Sequence, residues 1–420
     1  MRPFRLLLAL LLCFFLLLTA CDGAAGVPAP DGASGSPGDG RDSGGDDGGD
    51  GGGESEPTSP ETAPGEVTDD SPVEPEPEPE PQPGAGQLTA GEWRDLDNWD
   101  FWLELMNGEF GKTQTLWGFT VNERVTVQLE SKTNDPVIDA SVTLQDKDGA
   151  ELWQARTNNL GAATLFPSLF DSANAPYSLR IVAGTEVAEV EAVEINGEEP
   201  IKLTLDSAPE SDALDLMLVV DTTGSMSDEL EYLKAELQNV VGRVKDANPN
   251  LDVRLSANYY RDEGDIYVVR SFPFTKDISE VTQQIDAQRS GGGGDYPEAL
   301  DQALGDALEN HDWRDAARAR LLFLVLDAPP HQEQAVLTRM QKLTQLAAEK
   351  GVRIIPLGAS GIDKDTEFLL RFISIATDAS YTFLTNDSGI GNEKIEPTIG
   401  EYQVDFLNDL MVNIINRYVK

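Results

Sequence analysis

A run of apolar residues in the middle of the chain leads directly into a cluster of oxygen-bearing side chains. Residues 216–220 are followed by Asp221, Thr223 and Ser225, and helical periodicity begins a few residues later. Hard divalent cations prefer oxygen ligands, and Mg²⁺ in particular binds few protein ligands and keeps several waters. This pattern therefore predicts a site for Mg²⁺, or for Mn²⁺ or Ca²⁺, with an open coordination position for a carboxylate of a partner protein.

Two further segments carry oxygen ligands at the same predicted edge of the fold. A glycine-rich stretch, 291–294, leads to Asp295, and Asp327 follows the apolar run 321–326. Ligands of open α/β sheets bind beyond the carboxyl ends of the strands. We therefore expect one site built from Asp221, Thr223, Ser225, Asp295 and Asp327.

A simpler interpretation is that Asp221 caps the helix that follows it. The neighbouring hydroxyls would then satisfy the first free amides of that helix. A cap alone does not explain why the glycine-rich stretch and Asp327 are predicted to lie at the same edge.

The spacing Asp221-x-Thr223-x-Ser225 resembles the Asp-x-Ser/Thr-x-Ser motif of the von Willebrand factor type A domain, which carries a metal-ion-dependent adhesion site. The resemblance covers about residues 212–420. It implies direct metal ligation by the Thr223 and Ser225 hydroxyls, with Asp221 and Asp327 acting mostly through bound water. The family usually supplies a Thr from its third loop, where this chain has Gly294 or Asp295. A carboxylate ligand from Asp295 would make the ion less attractive to a partner's carboxylate, or would shift its preference toward Ca²⁺.

Catalytic sites are weakly supported, and we predict that the protein is not an enzyme. Ser225 and His331 suggest a hydrolase, but the serine lacks the Gly-x-Ser-x-Gly elbow. The chain has two histidines, and its two cysteines lie at positions 13 and 21, so a structural zinc site is not expected. The glycine-rich stretch lacks the Lys-Ser/Thr of a phosphate-binding loop. Arg261, in Tyr260-Arg261-Asp262, is expected either to form a structural ion pair or to contact a ligand.

The amino-terminal residues predict export and lipid attachment. Residues 1–20 combine an early basic pair with a short apolar run, which is typical of a signal peptide. The sequence Leu18-Thr19-Ala20-Cys21 resembles a bacterial lipobox, which implies that Cys21 becomes the lipid-bearing first residue. The alternative is an ordinary signal peptide with an incidental cysteine. We expect a lipid-anchored protein in the cell envelope, facing the periplasm or the exterior.

Composition excludes one class of partner and predicts a linker. The formal net charge is −43, which opposes nucleic-acid binding. Residues 21–87 are acidic and rich in Gly, Pro and Glu, so they cannot bury enough apolar surface to fold. This segment is interpreted as a disordered linker, either a spacer that lifts the folded part from a membrane or a neutral tether.

The linker is followed by a Trp-rich lead-in and then by two predicted domains. Residues 88–118 form a Trp-rich lead-in with a short helix around 95–105, expected to pack on a neighbouring domain. Residues 119–208 alternate apolar and polar positions between turn signals, which predicts an all-β sandwich domain. Its segment 136–163 resembles the carboxypeptidase-regulatory-like sandwich, an interaction or structural module.

Residues 209–420 alternate strands with helices, which predicts an α/β, doubly wound and mostly parallel sheet. The expected strands are 214–221, 251–259, 266–272, 321–327, 352–357 and 381–384, and the expected helices are 229–244, 298–308, 336–350, 366–376 and 407–415.

Together these features predict a lipid-anchored envelope protein that binds a protein partner through a divalent metal ion. Two alternatives remain at this stage. The metal ion stabilises the fold while the sandwich and the Trp-rich segment make the contacts, or the chain is a non-catalytic regulatory subunit of an envelope enzyme.

Overall fold

The computed structural model of the protein describes residues 83–170, 175–197, 199–208 and 210–420. All of these fall in one compact unit. The expected signal peptide, Cys21 and nearly all of the expected linker lie outside the described residues.

The chain forms eight α-helices and fifteen strands in its described part. The helices are α1 (Trp99–Asn107), α2 (Thr113–Trp117), α3 (Leu230–Ala247), α4 (Ile278–Asp286), α5 (Leu300–Glu309), α6 (Gln334–Lys350), α7 (Lys364–Ala376) and α8 (Leu407–Val419). The first eight strands are β1 (Thr89–Trp93), β2 (Val125–Ser131), β3 (Ser141–Gln145), β4 (Glu151–Arg156), β5 (Ala162–Leu165), β6 (Tyr177–Ala183), β7 (Glu186–Val193) and β8 (Ile201–Leu205). The others are β9 (Ala213–Asp221), β10 (Asp252–Tyr260), β11 (Val269–Arg270), β12 (Ala319–Leu326), β13 (Val352–Gly358), β14 (Tyr381–Leu384) and β15 (Val404–Phe406).

The carboxyl-terminal half is built on an eight-stranded sheet with the order β11-β10-β9-β12-β13-β14-β1-β15. Its strands β10, β9, β12, β13 and β14 are parallel. All nine residues of β9 are buried, as are all eight of β12. Parallel strands that are covered on both faces are near-continuously apolar, which is why these strands were predictable. The predicted α/β fold with a mostly parallel sheet is confirmed.

The sheet also takes in residues that the sequence placed outside this domain. Strand β1 lies in the Trp-rich segment and pairs antiparallel with β14, and β15 pairs with β1. Ordered contacts begin before residue 88, because the backbone N–H groups of Gly86, Gln87 and Leu88 donate to the Glu236 carboxylate at 2.8, 2.9 and 3.0 Å. Gly86 and Gln87, the last two residues of the predicted linker, thus contact α3. The fully buried Glu236 carboxylate needs these donors.

Two local predictions around β11 are also corrected. The strand expected over 266–272 contains only Val269–Arg270, which pairs with the end of β10 at the sheet edge. Helix α4 was not predicted. Its N-cap, Asp277, accepts hydrogen bonds from the backbone N–H groups of Ser279 and Glu280, so a capping signal was present in the sequence.

Residues 125–205 form two smaller sheets, as the alternating pattern predicts. One has the order β5-β2-β8 and the other β4-β3-β6-β7. Val127 and Leu129 from the first sheet and Val142, Leu144 and Ile181 from the second belong to the same buried cluster. Both sheets therefore contribute to one buried cluster, and their packing as a β-sandwich stays a prediction. The resemblance to the carboxypeptidase-regulatory-like family stays a prediction.

The Trp-rich segment packs on α7, as expected. The Trp102 ring stacks on Phe368 with centroids 5.8 Å apart, and the Phe110 ring contacts Phe368 edge to face at 5.2 Å. The indole N–H of Trp117 donates to the carbonyl of Asp365 at 2.9 Å. These contacts anchor the segment that carries β1. No helix in the described part of the chain combines the length and apolar character needed to span a bilayer.

A buried ion network joins this segment to α7. The guanidinium of Arg371 donates to both oxygens of Asp95, at 2.6 and 3.0 Å, and to Glu367 at 3.3 Å. It also donates to the carbonyl of Thr398 at 2.6 Å. The side chains of Asp95, Arg371 and Glu367 are fully buried. One arginine thus ties together the lead-in, α7 and the loop before β15.

Replacing Asp95 tests this network. Asp95→Ala should lower the free energy of unfolding by about 3–5 kcal/mol, because it leaves part of the Arg371 charge buried without its main partner. Urea denaturation followed by circular dichroism measures the change. Asp97→Ala is the matched control, since Asp97 lies in the same segment but is 66% exposed. Equal effects of the two substitutions would show that the buried pair is not a special determinant of stability.

Candidate metal centre

The chain leaves β9 through a turn that gathers the motif side chains. The backbone N–H and the hydroxyl of Thr223 both donate to Oδ1 of Asp221, at 2.8 and 2.7 Å. The hydroxyls of Thr223 and Ser225 lie 3.1 Å apart. A 3₁₀ turn, Gly224–Asp228, then leads into α3. Oδ2 of the fully buried Asp221 has no hydrogen-bond partner. The turn therefore uses one carboxylate oxygen, and the capping interpretation leaves the other oxygen unexplained.

Asp327 reaches the same edge from the neighbouring strand. In the parallel pair of β9 and β12, Val220 lies opposite Val325, so Asp221 and Asp327 leave the sheet at the same end. Asp327 is 2% exposed, and its Oδ1 has no hydrogen-bond partner. Its carboxylate interacts with the Ser225 hydroxyl. The predicted residues Asp221, Thr223, Ser225 and Asp327 are thus brought together.

The glycine-rich loop lies directly on this motif. The N–H of Gly291 donates to the carbonyl of Thr222 at 3.1 Å, and the N–H of Gly224 donates to the carbonyl of Gly292 at 3.0 Å. Gly293 has a φ of 68°, and a Cβ atom there would lie 3.2 Å from Cβ of Thr223. Glycine is therefore needed at 293 both for its backbone conformation and for the close approach of the loop.

Asp295 differs from the other predicted ligands in its surroundings, and its role as a ligand stays a prediction. Its side chain is exposed, and its charge acts on His331. Glu298 lies at the site instead: it is 2% exposed, and its Oε2 has no partner. Its backbone N–H donates to the carbonyl of Pro329 at 2.9 Å, which joins it to the loop after Asp327. In the sequence Glu298 was visible only as the residue after a proline at a helix start.

The three buried carboxyl groups repel one another and are poorly compensated. Burial raises the pKa of Asp221 to about 6, against the lowering effects of the hydrogen bonds from Thr223, of the Tyr260 hydroxyl and of the Arg261 charge. Burial, together with the Asp221 charge, raises the pKa of Asp327 to about 7. Burial and the charges of four aspartates raise the pKa of Glu298 to about 9. Burial and the same three carboxylates also raise the pKa of the Tyr260 hydroxyl well above its usual value.

This donor set fits a hard divalent cation. It combines two hydroxyls with three buried carboxylates, each of which has an oxygen without a partner. Within residues 83–420, as far as they are described, no group of three or more His, Cys, Asp and Glu side chains is arranged to hold a metal ion by itself. The Thr223 and Ser225 hydroxyls are therefore essential members of any ligand set here, and some carboxylates would act through water.

The neighbouring Arg261 and His331 have other partners. Arg261 donates to the carbonyl of Arg289 at 2.6 Å and lies over the Tyr267 ring, and its charge lowers the pKa of Asp221. Nε2 of His331 lies 2.7 Å from Oδ1 of Asp262. Burial lowers the pKa of His331, but the bond to Asp262 outweighs this effect and the pKa is raised. His331 is thus paired with Asp262 rather than with Ser225, and the geometry gives no support to a hydrolase.

Comparison with known proteins identifies the same part of the chain. Residues 215–395 match the family model of the von Willebrand factor type A domain. The chain is 30% identical over 135 residues to the alpha-protein kinase vwkA of Dictyostelium discoideum. The matched segment covers 32% of this chain and 21% of that protein. It is 31% identical over 120 residues to a putative ariadne-like RING finger protein, R811, of Acanthamoeba polyphaga mimivirus, covering 29% of this chain and 11% of that protein. The chain thus spans about a fifth or less of the length of these curated relatives.

Two solved structures show weaker likeness. One is an aerotolerance-related membrane protein from Bacteroides fragilis, 12% identical, which covers 49% of this chain and 98% of that chain with a TM-score of 0.33. The other is the conserved hypothetical protein BatB from Bacteroides thetaiotaomicron, 13% identical, with the same two coverages and a TM-score of 0.32.

The raised pKa values predict how the stability of the metal-free protein depends on pH. The native state keeps protons on Asp221, Asp327 and Glu298 that the unfolded chain loses near the ordinary values of 3.8, 3.8 and 4.5. Their contribution to stability is complete below those values and is lost as the pH rises through about 6, 7 and 9. In EDTA, the contribution of these groups to the free energy of unfolding should therefore fall between about pH 4 and about pH 9. Asp327→Asn should make this fall shallower in urea denaturation, and an unchanged fall would contradict the assignment.

Proposed function

We propose, from the von Willebrand factor type A domain that residues 215–395 form, that the chain binds a protein partner through a divalent cation at the carboxyl ends of β9 and β12. Domains of this family are generally non-catalytic interaction modules. The observation that carries the proposal is the buried pair of unpartnered oxygens, Oδ2 of Asp221 and Oδ1 of Asp327, beside the hydroxyls of Thr223 and Ser225. That the protein is not an enzyme stays a prediction.

The proposed ion is held by the two hydroxyls and the buried acidic groups. The cation, Mg²⁺ or alternatively Mn²⁺ or Ca²⁺, would add positive charge beside Asp221, Asp327 and Glu298, which the Arg261 charge offsets only at Asp221. Neutral hydroxyl ligands leave more of that charge uncompensated than carboxylates do. The partner would contribute an Asp or Glu carboxylate that completes the coordination of the ion.

Exposed side chains around the site support partner binding. Ile266, in the loop after β10, is 84% exposed, and Tyr296, in the glycine-rich loop, is 43% exposed. The two loops are joined, because the N–H of Gly293 donates to Oδ2 of Asp265 at 2.9 Å. Apolar and aromatic side chains beside a buried polar anchor are typical of interface contacts. Acidic neighbours such as Asp295 favour a partner whose carboxylate stands among neutral or basic groups.

A second candidate function is a purely structural metal ion. The motif after β9, the Asp327 loop and the start of α5 all bring acidic groups to one buried place. A cation there would relieve their repulsion and stabilise the fold whether or not a partner binds. In this case the sandwich and the Trp-rich segment would make the external contacts, in an envelope protein or in a regulatory subunit of an envelope enzyme.

Lipid attachment at Cys21 places the proposed binding activity at the cell envelope. It is supported by the Leu-x-Ala-Cys ending of the signal-peptide-like segment. The acidic surface would be repelled by anionic headgroups, so the lipid rather than surface charge would hold the protein at the membrane.

Removing Asp221 separates the two candidate functions. With Mg²⁺ present, the purified wild-type protein should retain a partner from an envelope extract, and EDTA should release it. Asp221→Ala should bind no partner at any Mg²⁺ concentration and should lose the rise in melting temperature that Mg²⁺ gives the wild type. Asp295→Ala is the matched control, since Asp295 is exposed on the same loop system. Partner binding that survives both EDTA and Asp221→Ala would contradict metal-dependent capture and favour the structural ion.

Replacing Cys21 tests the anchor. When the full chain is expressed in a bacterium, the wild type should be labelled by radioactive palmitate and should sediment with membranes. Cys21→Ser should lose the label and move to the soluble fraction, because a cysteine thiol is the attachment point of the lipid. Membrane association and labelling unchanged by Cys21→Ser would exclude this anchor.

A further inference from the structure

We infer that Glu298 is a resident carboxylate ligand of the ion at this site, and that it makes the site selective for Ca²⁺ over Mg²⁺. The inference rests on the proposed metal site and specifies one of its ligands. It assigns to Glu298 the role that the sequence assigned to Asp295.

The burial of Glu298 is the first argument. The residue is 2% exposed, and its Oε2 has no hydrogen-bond partner. The nearby basic side chains are engaged elsewhere: Arg261 donates to the Arg289 carbonyl, and His331 contacts Asp262. A buried carboxylate without a counter-charge is costly, and a bound cation is one of the few ways to stabilise it.

The position of Glu298 is the second argument. A Cβ atom on Gly293 would lie 2.7 Å from Oε1 of Glu298 and 3.2 Å from Cβ of Thr223. The carboxylate and the motif threonine thus face the same glycine. Backbone pairing between Glu298 and Pro330 fixes the start of α5 against the loop that follows Asp327. Glu298 is therefore held between the two elements that carry Asp221 and Asp327.

The charge and number of donors give the ion preference. With Glu298 the site offers two hydroxyls and three carboxylates, and because the carboxylates are not arranged to hold an ion by themselves, some of them would act through water. Ca²⁺ takes about 6–8 oxygen ligands and tolerates irregular geometry, whereas Mg²⁺ requires a near-ideal octahedron and keeps several waters. Three negative charges also more than balance the +2 ion. A partner's carboxylate would then compete with Glu298 for the ion.

Terbium luminescence tests the inference on the metal ion alone. Tb³⁺ replaces Ca²⁺ in oxygen sites, and excitation of the nearby Tyr260 should sensitise its emission. Competition with Ca²⁺ and Mg²⁺ gives the two affinities, and emission lifetimes in H₂O and D₂O count the waters on the ion. Wild type, Glu298→Gln, Glu298→Ala and Asp295→Ala are compared, with circular dichroism in EDTA to verify folding.

Wild type should bind Ca²⁺ more tightly than Mg²⁺. Glu298→Gln should weaken Ca²⁺ binding by more than about a hundredfold, beyond the roughly 10–100-fold loss typical of an outer-shell partner, with a much smaller effect on Mg²⁺. Glu298→Ala should add about one water to bound Tb³⁺, because a vacated ligand position is filled by solvent. Asp295→Ala should match the wild type in both measurements.

The outcomes separate the inference from the proposed function. If wild type binds metal and the Glu298 variants keep its affinity and its hydration number, Glu298 is not a ligand and the metal site itself still stands. If Asp295→Ala shows the losses instead, the sequence-based assignment is right and this one is overturned. If folded wild type binds no Tb³⁺, Ca²⁺ or Mg²⁺, both the inference and the proposed metal site fail.

Discussion

Uncompensated acidic charge at the carboxyl ends of β9 and β12 is the constraint on which the functional part of this structure depends. Elsewhere, buried charges meet opposite ones: Arg371 pairs with Asp95 and Glu367, and Arg320 pairs with Asp139. At the candidate metal centre, Asp221, Asp327 and Glu298 each keep an oxygen without a partner. Because an unpaired buried carboxylate is strongly destabilising, three buried acidic groups that each keep an unpartnered oxygen at one edge of the sheet have the character of a binding site.

The surrounding structure prevents this acidic group from relaxing. Glu229, at the start of α3, forms a buried ion pair with Lys394 at 2.8 Å, and the neighbouring Asp228 accepts a hydrogen bond from the N–H of Asn392 at 2.6 Å. The loop before β15 therefore lies against the turn that carries the motif. The same loop is joined through Thr398 to Arg371, and through that arginine to the Trp-rich segment. Segments far apart in the sequence thus fix the positions of the motif side chains.

The elements and site residues that could be predicted are those whose pattern lies within a short stretch of the sequence. The strands β9, β12 and β13 are apolar over most of their length, and Asp221, Thr223, Ser225 and Asp327 lie at or just beyond the ends of two of them, so periodicity and topology were sufficient. Strand β1 was missed because Thr89–Trp93 has no clear strand pattern and its partner, β14, lies nearly three hundred residues away. Glu298 was missed because its position depends on the path of the glycine-rich loop, where Gly291, Gly292 and Gly293 all have positive φ. Spacing in the sequence does not reveal such a path.

The two candidate functions differ in what occupies one coordination position of the ion. If Glu298 remains bound, the ion is surrounded by the protein's own carboxylates, carries no excess positive charge and acts as a structural element. If Glu298 leaves, the charge of the ion becomes available to an external carboxylate, and the exposed Ile266 and Tyr296 stand beside it as contact surface. A partner must therefore provide enough contact energy to replace Glu298 as well as a carboxylate of its own. Most small carboxylates in solution would not meet this requirement, because they make no further contacts with this acidic chain. It would favour a protein partner that contacts Ile266 and Tyr296 as well as the ion.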